Sequence, residues 1–258
     1  MALLACVMIW QQPFPVLADD QNIVLNTEKK YTPSFLTDLQ MVWVPEGCFH
    51  PDEPPHPRKC VQGFWLGKTE VTQSQWTRIM GNNPSLFKHD AHPVERVSVA
   101  DIRKFIDILN TKSKRQYRLP TVTEWEYACQ WHEPKNEPEL TARIQEISWF
   151  NLPWKEGHRA VGTKPPNRLG LHDMSGNVWE WLEERIFGKI AGKIILSNTM
   201  EDRLIKDKQK VRYDGFYIVR GGGWNYTRHL QGCGCQSQKL ARPFLREEVI
   251  GFRLALSQ

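Results

Sequence analysis

Gly170-Leu171-His172-Asp173-Met174-Ser175-Gly176-Asn177-Val178-Trp179-Glu180-Trp181 decides the reading of this chain. Two turn-prone glycines, an asparagine, an acid and two indoles stand together, and neither a helical nor a strand period runs through them. A buried Trp needs a partner for its N–H. Asn and Glu supply the hard oxygens that a calcium ion or a tight loop uses. The pattern is that of an ordered, irregular segment.

Regular elements are short on either side of it. Met41-Val42-Trp43-Val44 reads as an apolar strand ended by the turn Pro45-Glu46-Gly47, and Cys60-Val61-Gln62-Gly63-Phe64-Trp65-Leu66-Gly67 as a second strand. A Pro-rich, charged excursion separates them, flanked by Cys48 and Cys60, which a disulfide would close. Three helices follow. Thr72 caps the first, ahead of Gln75, Trp76, Ile79 and Met80. Ser98 caps the second with Asp101 at the box position, and Ile102, Phe105, Ile106 and Leu109 recur at helical spacing. Thr121 caps the third, with Glu124 at the box position. Beyond Trp149 the chain is rich in Gly, Pro and Trp; residues 185–212 read as a polar, irregular surface insertion. Phe216-Tyr217-Ile218-Val219-Arg220 and Ile250 to Leu256 return to strand. No internal repeat is found, and one α+β domain is expected over 41–258.

The chain has 258 residues, 40% of them hydrophobic, with eleven Trp and a formal charge of +5. That is enough for a core, and the charge is mild. Lys206, Lys208, Lys210 and Arg212 read as a solvated loop, so no nucleic-acid partner is expected. Residues 1–18 read as a signal peptide, with Val16-Leu17-Ala18 as the cleavage site, and 19–40 as an extended leader. The absent charged n-region places the expected start upstream of Met1. No stretch approaches the ~20 apolar residues of a membrane helix. A periplasmic or secreted protein is therefore expected, and that compartment favours disulfides. Beyond Cys6 there are five cysteines, Cys48, Cys60, Cys129, Cys233 and Cys235, so one is left over. The eight histidines show no HxH or HExxH spacing, which gives a histidine metal site no support.

Lys68-Thr69-Glu70-Val71-Thr72, Asn83-Pro84-Ser85, His92-Pro93-Val94, Arg118-Leu119-Pro120-Thr121, Glu124-Trp125-Glu126-Tyr127-Ala128, the Gly170 to Trp181 stretch, Arg220-Gly221-Gly222-Gly223-Trp224 and Gly251-Phe252-Arg253 occur in this order. In that order they resemble the formylglycine-generating enzyme, or sulfatase-modifying factor, family. The resemblance implies a modified C-type-lectin-like fold with little regular secondary structure. It implies a calcium site at Gly176, Asn177, Val178 and Glu180, and a second one beginning at Asn151, whose downstream acidic partner is missing. It also implies a Cys129–Cys235 disulfide. Gly221 to Gly223 serve either close approach of a ligand or a tight turn.

In this family two cysteines after the Gly-Gly-turn segment bind Cu(I), which suits soft thiolates. Alignment on Gly221-Gly222-Gly223-Trp224 puts Tyr226 and Gln231 at those positions, so copper is not expected. Three readings of Cys233 and Cys235 stand: one pairs with Cys129, both form a shifted thiolate site near His229, or the two form a redox pair. The resemblance then implies an exported, cysteine-deficient binding or maturation factor for a secreted or periplasmic protein or a small metabolite. An alternative is an oxidoreductase similar to pyoverdine-maturation members, with Trp224, Tyr226, Arg228, His229 and Gln231 lining its pocket. A lectin-like ligand binder is a third, on fold analogy.

Overall fold

The computed structural model describes residues 30–31, 38–50, 57–131, 136–190, 193–197, 215–225 and 234–257. Its first sheet has the strand order β1-β2-β5-β12-β6, from β1 (Lys30–Tyr31), β2 (Met41–Val44), β5 (Phe64–Gly67), β12 (Ala255–Ser257) and β6 (Tyr117–Arg118). The second has the order β10-β9-β7-β11, from β10 (Gln238–Ala241), β9 (Phe216–Arg220), β7 (Trp179–Ile190) and β11 (Ile250–Gly251), with β8 (Lys193–Ser197) paired to β7. A separate hairpin joins β3 (Gly47–Phe49) to β4 (Lys59–Val61), with Cys48 opposite Cys60. Those two form a disulfide, as expected.

The helices start where their caps place them. In α1 (Gln73–Met80), α2 (Val99–Ser113) and α3 (Val122–Cys129), the Thr72, Ser98 and Thr121 side chains accept the N–H three residues on, and Gln75, Asp101 and Glu124 bond back. Gly81, left-handed at φ 75°, ends α1. Arg118 grips Glu124 bidentately at 2.7 Å, tying β6 to the first turn of α3.

Three features depart from the sequence reading. The first sheet begins inside the expected leader, since Lys30 and Tyr31 pair with Val42 and Met41; residues 1–18 lie outside the described residues. Residues 185–190 and 193–197, within the expected irregular insertion, pair as β7 and β8, with a register shift between Ile186 and Lys189. The bulge breaks the two-residue alternation that marks a strand. Helix α4 (Glu137–Ile147), capped by Asn136 with Pro138 in its first turn, had no counterpart in the sequence reading.

Two apolar clusters fill the interior. One joins Trp76, Ile102, Phe105 and Leu109 of the first two helices to Phe252 and Trp181. Trp76 stacks on Phe105 at 5.2 Å, and Phe252 meets both edge-on. The other joins Trp125 and Ala128 to Phe64, Leu66 and Leu182. The C-terminal stretch belongs to both sheets: β11 lies beside β7, and β12 lies between β5 and β6.

Glu184, on β7, accepts the Val122 N–H at the start of α3. Burial pushes its carboxyl up from the ordinary 4.5 to about 7. A raised carboxylate favours the fold while protonated, so its contribution falls as pH rises from 4.5 through 7. Glu184→Gln keeps an acceptor for Val122 and removes the charge. It is expected to raise stability at pH 8 by about 1–3 kcal/mol and to flatten the loss between pH 5 and 8. Melts at the two pH values check this; equal shifts at both would contradict it.

Candidate functional site

The irregular Gly170 to Trp181 segment closes around a buried ionic centre. Arg253 is fully buried against Glu180. Its Nε and Nη2 donate to the two Glu180 oxygens at 2.7 and 2.6 Å, its Nη1 to the Gly67 carbonyl and its Nη2 to the His172 carbonyl. Trp125 Nε1 donates to the same carboxylate at 2.7 Å. Glu70 and Asp173 are buried next to this centre. Glu70 Oε1 accepts from Asn177, and Asp173 Oδ2 from the Gly162 N–H. Glu70 Oε2 and Asp173 Oδ1 have no partner among the described residues. Burial, and for Glu70 the neighbouring Asp173 charge, hold both carboxyls above their ordinary values.

The expected calcium donors meet other partners here. Asn177 Oδ1 accepts the Arg159 N–H at 2.9 Å, while its amide nitrogen donates to Glu70. Both Glu180 oxygens are held by Arg253 and Trp125. Gly176, left-handed at φ 80°, lies so close to Trp149 that a Cβ would fall 2.4 Å from the Trp149 carbonyl oxygen. Val178 is core. Asn151 follows Trp149 on the exposed side of this contact. Calcium takes six to eight oxygens. Among the described residues, no group of three or more His, Cys, Asp or Glu is arranged to hold a metal. In this arrangement the Asn177 and Glu180 side chains are engaged, and Gly176 and Val178 offer backbone carbonyls alone. Glu70, Asp173 and Arg253 were missed because a pattern search treats them as helix entry, loop and strand end.

Glycines end β9: Gly221 and Gly222 have φ of 96° and 86°, which supports the turn reading. Trp224 follows, fully buried, with its Nε1 unpaired among the described residues. Tyr226, Arg228, His229 and Gln231 lie outside the described residues, so of the expected pocket only Trp224 is placed. Phe87 and Trp154 pack against it at 5.5 and 5.4 Å, and Trp154 is 53% exposed.

One ring further on is a histidine chain that the sequence did not suggest. His158 Nδ1 is 3.0 Å from His92 Nδ1, and its Nε2 is 3.5 Å from Glu95 Oε1. Glu95 and His158 are fully buried. If His158 donates to Glu95, His92 must be the donor in the pair, which leaves His92 Nε2 as an acceptor. Burial, then the neighbouring His158, lowers His92 to about 4, so it is neutral at physiological pH. No spacing motif could have found this chain, since His92 and His158 lie 66 residues apart.

Cys129 and Cys235 form the second disulfide. With Cys235 bonded to Cys129, the shifted thiolate site and the Cys233–Cys235 redox pair lose a member. The expected copper positions, Tyr226 and Gln231, lie outside the described residues, and Cys235 is committed to Cys129.

The two sheets, short helices and long ordered loops define an α+β domain of the modified C-type-lectin-like class. The model of the sulfatase-modifying factor enzyme 1-like domain matches residues 29–258. The chain belongs to that family. It is 31% identical over 173 residues to a chaperone protein, LppX, of Paenibacillus barcinonensis, a match covering 47% of this chain and 62% of that protein. It is 29% identical over 137 residues to the formylglycine-generating enzyme of Mus musculus, covering 47% and 34%. The chain thus spans less than two thirds of the length of these curated relatives. Its fold is similar to that of PvdO from Pseudomonas aeruginosa, with TM-score 0.64 and 19% identity over 85% of this chain and 95% of that one.

Proposed function

We propose that this protein is an exported binding or maturation factor of the family, acting on a secreted or periplasmic protein or a small metabolite, without copper–thiolate oxidation. The observation that carries this reading is the Cys129–Cys235 disulfide. It commits Cys235, one of the two cysteines that follow the expected copper positions, which themselves hold Tyr226 and Gln231. Two supports are indirect. Disulfides suit an oxidising compartment, and the relative with the highest identity quoted above is named a chaperone. No helix among the described residues is long and apolar enough to cross a membrane.

Purified protein supplied with copper, oxygen and a cysteine-containing sulfatase-type peptide is expected to give no aldehyde by mass spectrometry and no oxygen uptake. Turnover-dependent aldehyde would overturn the reading. Oxygen uptake without aldehyde would favour an oxidoreductase working in the pocket beside Trp224. Cell fractionation tests export: the mature chain is expected outside the cytoplasm with Asp19 at its N-terminus.

A further inference from the structure

A pocket of about 480 Å³ opens between the end of α1 and the start of α2, away from the ionic centre and from Trp224. Its volume is that of a small-molecule site. Half-buried Met80 lies over the buried Trp76 and Val97 on its apolar side, and Asn82, Arg96 and Arg246 give it polar groups.

Arg96 is the unusual member. Its φ is 59°, a left-handed conformation that Gly or Asn adopts far more readily than a long side chain. Its N–H bonds to the Glu247 carbonyl at 3.1 Å, which fixes the backbone. Its exposed guanidinium makes no hydrogen bond or ion pair with the described residues. A strained residue with an idle charged group points to a use outside the fold.

The pocket's side-chain acceptor oxygens already have partners. The one carboxylate, Asp101, is occupied by Arg246 at 2.8 and 3.1 Å and by Ser98. The Asn82 oxygen accepts from Trp76 Nε1 at 3.3 Å, leaving its amide N–H groups. Two arginines against one aspartate leave a single positive charge. A planar guanidinium matches a carboxylate bidentately. A dianionic phosphate would be only half neutralised and would leave the apolar side uncovered.

We propose that this pocket binds a carboxylate carried on a short apolar body, with Arg96 as its anchor. Two sources share that chemistry: a free aliphatic acid and the C-terminal residue of a peptide. Nuclear magnetic resonance titration of the full chain tests it with hexanoate and with an acetylated peptide ending in Gly-Leu, each against its amide. Saturable shifts at Val97, Asn82 and the Trp76 indole are expected for the acids, with at least tenfold weaker binding of the amides. Arg96→Asn is expected to lose tenfold or more in affinity while its melting temperature stays level or rises, because Asn tolerates the left-handed backbone. Tighter binding of the peptide would name a protein terminus as the source, and tighter binding of hexanoate a free acid. The proposal is overturned if neither acid saturates the pocket, if the amides bind equally, if Arg96→Asn binds as the wild type does, or if that variant melts lower and so shows Arg96 to be structural.

Discussion

Arg253→Met is expected to cost about 3–5 kcal/mol, enough to unfold the domain or nearly so. The side chain fills the space but leaves the Glu180 carboxyl buried without its partner, with Glu70 and Asp173 beside it. Breaking one half of a buried pair is costly for that reason, whatever the pair contributes net. Four elements lose a tether together, because the guanidinium joins Glu180 to the carbonyls of Gly67 and His172. Arg253→Lys keeps the charge but not the forked geometry, and a loss of about 1–3 kcal/mol is expected. Denaturant melts measure both; a loss below about 1 kcal/mol for the methionine variant would contradict the ionic centre. Wild-type melts in chelator and in millimolar calcium decide what covers Glu70 Oε2 and Asp173 Oδ1. With Arg253 as the only cation of the centre, the two melts coincide. A higher melting temperature in calcium, with the ion found by elemental analysis, would return calcium to this loop.

The second large effect is expected at Cys129–Cys235. The bridge spans 106 residues of sequence, against 12 for Cys48–Cys60. Chain-entropy reasoning gives about 4–5 kcal/mol for a loop of the first length and about 3 kcal/mol for one of the second. Replacing Cys129 and Cys235 together by Ala is thus expected to cost more than replacing Cys48 and Cys60. Cys129 is also buried beside the Met174 carbonyl, so the change reaches the irregular segment itself. Melts of both double variants check the order, and peptide mapping under non-reducing conditions checks the pairing. A Cys129–Cys233 link, or equal losses for the two bridges, would contradict this account.

The parts of the fold legible in the sequence were those written locally. Thr72 with Gln75, Ser98 with Asp101 and Thr121 with Glu124 are three-residue signals, and each begins a helix as expected. The β7–β8 pairing escaped because its charges and its bulge hide the alternation. The site was legible only along the chain. Glu180 and Asn177 were named, but their partners Arg253, Trp125, Glu70 and Arg159 come from distant segments, and those partners decide what the oxygens can do. Cys129–Cys235 was implied by family resemblance; residue spacing alone left it open. The strain at Arg96 cannot be read from any sequence window.

The last strands carry a consequence for the order of events during synthesis. β12 sits in the middle of its sheet, and Arg253 supplies the positive charge of the buried centre. A nascent chain that has not yet released residues 250–257 lacks both, so β5 and β6 have no common neighbour and Glu180 has no counter-charge. Such a chain cannot join β5 to β6 in the first sheet, and its second sheet lacks the edge strand β11. Non-local pairing of this kind delays folding until the partner strand exists. If the chain crosses a membrane unfolded, as proposed above, it gains from that delay, because β12 and Arg253 follow in sequence every strand and carboxylate they join.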